Sequence, residues 1–453
     1  MAHGAWQQQA AKGFPAATAL TRLHPRPKRC TFRLPTSLTH THTHTHSPTP
    51  THTHTHQTNK NNNKNNPNPN PNMTLQIIII GAGLIGPRHA ESVLSNPSTN
   101  LLALIDPSPS AAPIATSLNT LYFPSLSALL TTPNTPHPDA AIVCTPNHTH
   151  VSIAQDLLSH NIHILLEKPI SDNIPSALSL LKTATQPQHS HLKLLIGHHR
   201  RFNAYMLKTK EIITSGSLGP LIAINGLWTL QKPPSYFAPD WRRAASSGGV
   251  LSINLIHDID LLHDLFGPIT RVFAEKTPPQ RPATDASHTA EEGAAITLRF
   301  ASGLVGTFLV CDATPSPHNF EAGTGENPLI WEAGKKRDAD FYRIFGARAS
   351  LSVPDMRRWS YDGCDGEEGV GGMEKEKGWG MPLRTEEFEV QKGTPFDLQL
   401  QHFVEVIAGR EEPRCTGVEG LRALVVVQAV KTALEEGRAV EVRDVEAVLA
   451  ESE

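Results

Sequence analysis

Residues 75–90 read LQIIIIGAGLIGPRHA, and the reading of this stretch decides the fold. Four consecutive isoleucines, Ile77 to Ile80, show no alternation, which is how a strand buried on both faces of a parallel sheet appears. The run stops at Gly81. Gly81, Gly83 and Gly86 have the GxGxxG spacing of a strand-to-helix turn. There the first glycine permits the tight turn, the second lets backbone approach a pyrophosphate, and the third permits close helix packing. Such phosphates sit at the positive end of the following helix. By itself the spacing is weakly specific. Its context is better, because LLALI at 101–105 is a second buried strand, and it ends in Asp106 about 20 residues past Gly86, where a ribose-binding carboxylate is expected.

Downstream, the βα alternation continues. AAIVC at 140–144 is a buried strand that runs into Thr145, Pro146, Asn147, His148, Thr149 and His150. A helix over 151–159, a strand over 162–166 and Glu167-Lys168-Pro169 follow, and a last strand over 193–196 ends at Gly197. Repeated units of this length predict an N-terminal Rossmann-type, doubly wound parallel sheet over 73–197. Ligands of such sheets bind beyond the carboxyl ends of the strands. Asp106, Thr145, Asn147, Glu167, Lys168 and His198 all lie at those ends, so one crevice can collect them.

Past residue 198 the alternation is lost. Short strands at 221–228, 294–300, 305–310 and 349–353 predict an α+β domain over 198–453 with an open, mainly antiparallel sheet. Its prominent helix follows Ser246-Ser247-Gly248-Gly249 and runs to about Phe266, with Leu251, Leu255, Ile259, Leu262 and Phe266 as core face. Asn254, His257, Asp260 and Asp264 recur at three- and four-residue spacing and are read as a second, polar face. The Gly-, Glu- and Lys-rich stretch 364–380 is read as a loop, and helices over 396–408 and 418–436 close the chain, able to pack back on the first domain.

Upstream, residues 1–72 contain no Asp or Glu and carry Thr-His and Asn-Pro repeats. They cannot bury enough apolar surface to offset their ordering entropy and are expected to be disordered. Three explanations stay open. Alternating Thr and His is what a CA dinucleotide repeat encodes, which suggests a non-coding stretch read through before a start at Met73. The acid-free, Arg- and Lys-bearing first 40 residues suggest a mitochondrial transit segment, although Pro25, Pro27 and Pro35 break its helix. Metal binding by the histidines lacks an ordered scaffold.

The 453-residue chain has a formal charge of -3, so no global basic field argues for nucleic acid or an acidic membrane. Cys30, Cys144, Cys311, Cys364 and Cys415 are scattered without CxxC spacing, which argues against a disulfide framework and against zinc, and fits a reduced, cytoplasmic setting. No apolar run reaches the ~20 residues of a membrane span. A small-molecule substrate is the better expectation.

Taken in order, GAGLIG, the acidic end of the second strand, CTPNHTH, EKP, GHHRRF and GGVLSINLIHDID resemble the glucose-fructose oxidoreductase and inositol dehydrogenase (Gfo/Idh/MocA) family. The resemblance runs from Met73 to the C-terminus. It implies pyridine-nucleotide oxidation or reduction of polyols, sugars and related cyclic alcohols. It further implies that Lys168 touches the nicotinamide end of the cofactor and that Pro169 is cis or turn-forming. By the same resemblance Thr145, Pro146, Asn147 and His150 form a turn along the cofactor, and Trp241-Arg242 reaches towards it from the second domain. Gly81, Gly83, Leu84, Ile85, Gly86, Asp106 and Glu167 complete the expected cofactor-binding set. Ile253 stands where many members carry an acid. The family also holds NAD-using glycosidases and non-catalytic NAD-binding regulators, which stay as alternatives.

From the residues themselves, Lys168 at a strand mouth can polarise a substrate oxygen. His257, with a reference pKa near 6.5, suits a general base, and Asp260 one turn on can orient it. Asn254, His198 and Arg201 are candidate substrate ligands. Asp106 accepts both ribose hydroxyls and repels a 2′-phosphate, while Pro107 and Ser108 offer no arginine, so NAD is favoured over NADP. An open sheet needs its face covered, which suggests a homodimer or tetramer.

Overall fold

The computed structural model describes residues 74–281, 285–327, 329–330, 334, 339–364, 376–391 and 393–451; the expectations for 1–73 and for most of the 364–380 loop fall outside them. Buried apolar runs form β1 (Leu75–Ile80), β2 (Thr99–Ile105), β3 (Leu121–Phe123), β4 (Ala140–Val143), β5 (His163–Leu166) and β6 (Leu194–Ile196). These pair in parallel in the order β3-β2-β1-β4-β5-β6. That is the doubly wound arrangement, and its strand order reverses between β1 and β4. Ile77, Ile78 and Ile79 are fully buried, as an unbroken apolar run between two helix layers requires. β3 has no counterpart in the sequence reading: its three residues are half-buried or exposed and show no periodicity.

Among the described residues the second sheet has nine strands, β7 (Leu221–Thr229), β8 (Ile269–Lys276), β9 (Gly293–Phe300), β10 (Val305–Cys311), β11 (Tyr342–Gly346), β12 (Ala349–Val353), β13 (Arg357–Ser360), β14 (Arg384–Glu387) and β15 (Val440–Glu441). Their order is β14-β13-β12-β11-β7-β10-β9-β8-β15. Every pairing is antiparallel except β7 with β10. Strict alternation along β9 and β10 turns Ile296, Leu298, Phe300, Phe308 and Val310 into a core with the helices, while Val305 and Leu309 face outward, exposed.

Two closing helices join the sheets. Leu400, Phe403 and Val406 of the helix Pro395–Ile407 share a core with Ile77, Ile79 and Leu165 of the parallel sheet. The helix Gly417–Glu436 starts in a capping box made by Thr416 and Glu419 and serves both cores. Its Leu421 and Val425 pack with Ile196 and Ile170, whereas Ala423, Val426 and Val430 pack against the second sheet. The described residues from 74 onward therefore belong to one compact unit, in which the carboxyl ends of the parallel strands meet the second sheet's helices.

Candidate active site

The glycine turn leaves β1 at the point where strand order reverses. Gly81 has φ +104°, and a Cβ there would meet the Cys144 carbonyl oxygen at 2.7 Å. A Cβ on Gly86 would lie 2.0 Å from the Gly81 carbonyl oxygen, so only glycine lets the helix Gly86–Ser95 close on the turn. At Gly83 nothing lies within 4 Å, so the backbone there stands open to a ligand. Leu84 is exposed, and Ile85 at the helix start supplies no side-chain cap, so the first N–H groups of the helix remain available to phosphate oxygens. Asp106 closes the other side: its Oδ2 accepts from the Ala82 N–H at 2.8 Å and its Oδ1 from the Ser108 N–H at 2.8 Å. These features fit a dinucleotide: an open glycine backbone, an uncapped helix start and a carboxylate at the end of the second strand.

The next two strand ends are tied together by His150. It is buried, with Nδ1 2.8 Å from the Pro169 carbonyl and Nε2 2.9 Å from the Thr145 carbonyl. Its ring is spent on backbone, and it shapes the turn through Thr145, Pro146 and Asn147 that the resemblance places along the cofactor. The Lys168-Pro169 peptide bond is cis.

Glu167 and Lys168 diverge, as neighbours leaving a strand do. Glu167 Oε1 pairs with His89 Nε2 at 2.9 Å and its Oε2 accepts from the Lys168 backbone N–H. Burial by itself would raise Glu167, but the His89 hydrogen bond and the neighbouring charges hold it near 2, so the carboxylate is ionised and already occupied. The His89 pairing ties Glu167 to the helix that follows the glycine turn. Lys168 is half-buried and its Nζ lies 3.5 Å from the Ile253 carbonyl. Burial draws its pKa below the ordinary lysine value, with Glu167 opposing and Arg200 and Lys232 adding to the fall.

Ile253 belongs to a π-helical turn, Leu251–Leu255, that leads into the α-helix Ile256–Phe266. The sequence reading treated both as one α-helix. π turns widen the helix by one residue and are frequent at functional sites. His257 lies in the first α-helical turn, 6% exposed, with Nδ1 sealed in and without a hydrogen-bond partner among the described residues. Burial, then the Lys168 and Arg200 charges, press its pKa well below 6.5, so the ring is neutral at physiological pH. His199 lies edge-on to it, ring centroids 5.4 Å apart, and stacks on Phe396 at 4.4 Å.

The expected polar stripe on this helix splits. Each three-residue step falls about 60° short of a full turn, so residues three apart drift around the axis. Asp260 turns away from His257 and takes Arg201 in a bidentate pair, Nη2 to Oδ1 at 2.6 Å and Nε to Oδ2 at 2.9 Å. Against the pull of burial, Arg201 and His198 keep Asp260 ionised. Asp260 therefore does not orient His257. Arg201, buried and further bound to the Arg414 carbonyl, does not face the cleft. His198 is 1% exposed, its Nδ1 lies 3.5 Å from Asp260 Oδ2, neither ring nitrogen has a hydrogen-bond partner among the described residues, and burial lowers it to about 4. Strand alternation ends at Ile196, and in the His199–Phe202 3-10 turn that follows His199 comes nearer the His257 ring than His198 does, at 5.4 Å against 6.2 Å between centroids.

Asn254 Oδ1 accepts from Lys232 Nζ at 2.7 Å. Lys232, buried to 8% exposure, also pairs with Asp312 Oδ2 at 3.0 Å and sits over the Tyr236 ring. Arg242 stacks on Tyr236 and donates to its carbonyl, while Trp241 remains exposed beside it. Arg200 joins the network through Glu321, Asp258 and Glu326. Burial raises Asp258 to about 7, and its Oδ1 accepts from the Tyr342 hydroxyl at 2.6 Å.

His89, His199, Arg200, Lys232, Asp312, Glu321 and Glu326 escaped the sequence reading. The GHHRRF motif contains His199 and Arg200, but nothing local distinguishes them from His198 and Arg201. Lys232 meets partners 22 and 80 positions away, which no spacing rule reaches.

Residues 75–192 match the model of an oxidoreductase family with an NAD-binding Rossmann fold, and residues 210–442 match that family's C-terminal alpha/beta domain. The chain is 23% identical over 366 residues to the inositol 2-dehydrogenase of Rhizobium meliloti, covering 80% of this chain and 98% of that one. It is 24% identical over 358 residues to the UDP-N-acetylglucosamine 3-dehydrogenase of Acidithiobacillus ferrooxidans, covering 79% and 96%. Among solved structures, scyllo-inositol dehydrogenase from Lactobacillus casei, with bound NAD(H) and scyllo-inositol, shares the fold at a TM-score of 0.61 and 19% identity, covering 82% of this chain and 99% of that chain. With both domain models matched in order, the chain belongs to the Gfo/Idh/MocA family of oxidoreductases and carries its NAD-binding Rossmann fold.

Proposed function

We propose that the protein is an NAD-dependent dehydrogenase acting on a secondary alcohol of a small polyhydroxylated molecule. The observation that carries this reading is the meeting of Lys168 Nζ with the π turn that delivers His257. A cationic donor and a neutral imidazole thus border one cleft, at the carboxyl ends of the strands that follow the glycine turn. When bound, the nicotinamide supplies the hydride acceptor for oxidation and the hydride donor for reduction.

In this scheme the neutral His257 ring takes the hydroxyl proton, and Lys168 donates a hydrogen bond that stabilises the negative charge growing on the same oxygen. His89 holds Glu167 and thereby the backbone from which Lys168 projects. Asp106 and the open Gly83 backbone hold the dinucleotide, and the absence of arginine at 107–110 favours NAD over NADP. The relatives named inositol and UDP-N-acetylglucosamine dehydrogenases support a cyclic polyol or sugar as substrate type.

Among the described residues no helix is long and apolar enough to cross a membrane, and a cytoplasmic setting is part of the proposal. The outer face of the second sheet, with exposed Ile222, Val305, Leu309 and Phe345, is the surface we assign to a homodimer or tetramer. A panel of polyols, aldoses and sugar acids, followed by NADH absorbance, tests the activity. Lys168→Met should cut kcat by about a hundredfold or more while NADH fluorescence titration still shows binding. Undiminished turnover in that variant overturns the scheme.

A further inference from the structure

The polar groups around the π turn are unevenly engaged. Glu167 is held through both carboxylate oxygens, by His89 and the Lys168 N–H. Asp312 is held through both, by Lys232 and Arg281. Glu321 is held through both, by Arg200 and the Trp228 indole. Each of these three carboxylates thus already holds a donor on each oxygen. The donors are differently placed: Lys168 Nζ has only the distant Ile253 carbonyl among the described residues.

Asn254 is the second open donor, and Lys232 decides which way its amide faces. An ammonium donates and never accepts, so the oxygen of Asn254 is the end that meets Lys232 Nζ at 2.7 Å. The amide N–H groups are thereby turned the other way, and they have no partner among the described residues. Lys232 is itself pinned by Asp312 and by the ring of Tyr236. The amide cannot flip without losing a charge-assisted hydrogen bond.

We infer that Lys232 is a positioning residue that holds the Asn254 amide as a fixed donor, and that Asn254 with Lys168 selects a substrate bearing a carboxylate near the oxidised carbon. A carboxylate only accepts, so it satisfies donors without asking the site for acceptors. A neutral polyol in the same place must also donate its hydroxyl protons, and Glu167, Asp312 and Glu321 already hold a donor on each oxygen. The inference rests on the dehydrogenase reading for the identity of the oxidised carbon, but its test is binding rather than turnover.

D-gluconate and D-glucitol are a matched pair that differ in a carboxylate against a hydroxymethyl group. Calorimetric titration of the NADH-loaded full chain should show gluconate bound at least about tenfold more tightly, the scale of a charge-assisted hydrogen bond. Asn254→Asp, which keeps size and replaces the donor by a repelling acceptor, and Lys232→Met, which frees the amide to flip, should each bring the preference to within about threefold by weakening gluconate. Lys232→Arg, again a pure donor, should restore it, which a merely structural role of Lys232 would not produce. Absent gluconate binding, equal affinities in the unsubstituted protein, or a preference that survives Asn254→Asp and Lys232→Met overturns the inference. NADH formation is followed separately: discrimination without turnover of any alcohol counts against the dehydrogenase reading alone, and turnover without discrimination counts against this inference alone.

Discussion

His257 shows how much a single residue's chemistry depends on where it is buried. With a reference pKa near 6.5 it would be partly protonated at neutral pH, but burial and the Lys168 and Arg200 charges push it well below that value. A base must be neutral to accept a proton. The neutral fraction is therefore already complete at pH 6.5, and kcat/KM for oxidation should be level from pH 6.5 to 8 as far as this group is concerned, falling only in more acid solution. An acid limb centred at or above 6.5 in a pH–rate profile would remove His257 from the role. The sign for stability is the same. Folding holds the ring neutral while the unfolded chain protonates below 6.5, so this contribution is intact above pH 6.5 and is lost as pH falls towards the folded-state pKa. His198, lowered to about 4, adds to the loss between pH 6.5 and 4. The type of residue and its place on a helix were legible from HDID after SINL, whereas its neutrality was not, because the cations that enforce it come from β5 and the turn after β6.

The glycine turn and the π turn are the two elements that make the cleft, and they were unequally readable. GxGxxG encodes its geometry locally, since each glycine answers to a steric demand of its own turn. Gly86→Ala places a methyl 2.0 Å from the Gly81 carbonyl and should both destabilise the protein, by about 1–3 kcal/mol, and weaken NADH binding. Gly83→Ala meets no protein atom within 4 Å, so its melting temperature should stay within about 1 °C of the parent while NADH binds at least about tenfold more weakly. Paired thermal melts and fluorescence titrations separate the two. Unaltered NADH affinity in Gly83→Ala would mean that the pyrophosphate does not pass there. The π turn has no such local code. Its apolar residues read equally well as α-helix, and it is met by contacts from beyond the helix, including the Leu251 N–H to Glu291 at 3.0 Å.

At the scale of the molecule, the site exists because the chain's last helices fasten the two sheets. Phe403 is fully buried against the parallel sheet although it lies more than 300 positions after β1. Phe403→Ala should cost about 3–5 kcal/mol, seen as a lower midpoint in urea, because a buried ring is replaced by a cavity. A loss under about 1 kcal/mol would show that the helix Pro395–Ile407 is not part of the folded core. Apolar spacing alone determined that this helix is amphipathic, as it determined the parallel strands other than β3 and the second sheet's alternation, while glycine spacing and motif order determined the turn and marked the family. Those features arise from interactions within a few residues or within one repeating period. Tertiary structure alone decided the pairings of the buried polar and ionised groups: Asp260 with Arg201 rather than His257, Glu167 with His89, Asn254 with Lys232, and His199 nearer than His198 to the His257 ring. A buried charge is stable only with a partner, and the partner is whichever group folding brings within reach, at any distance along the chain.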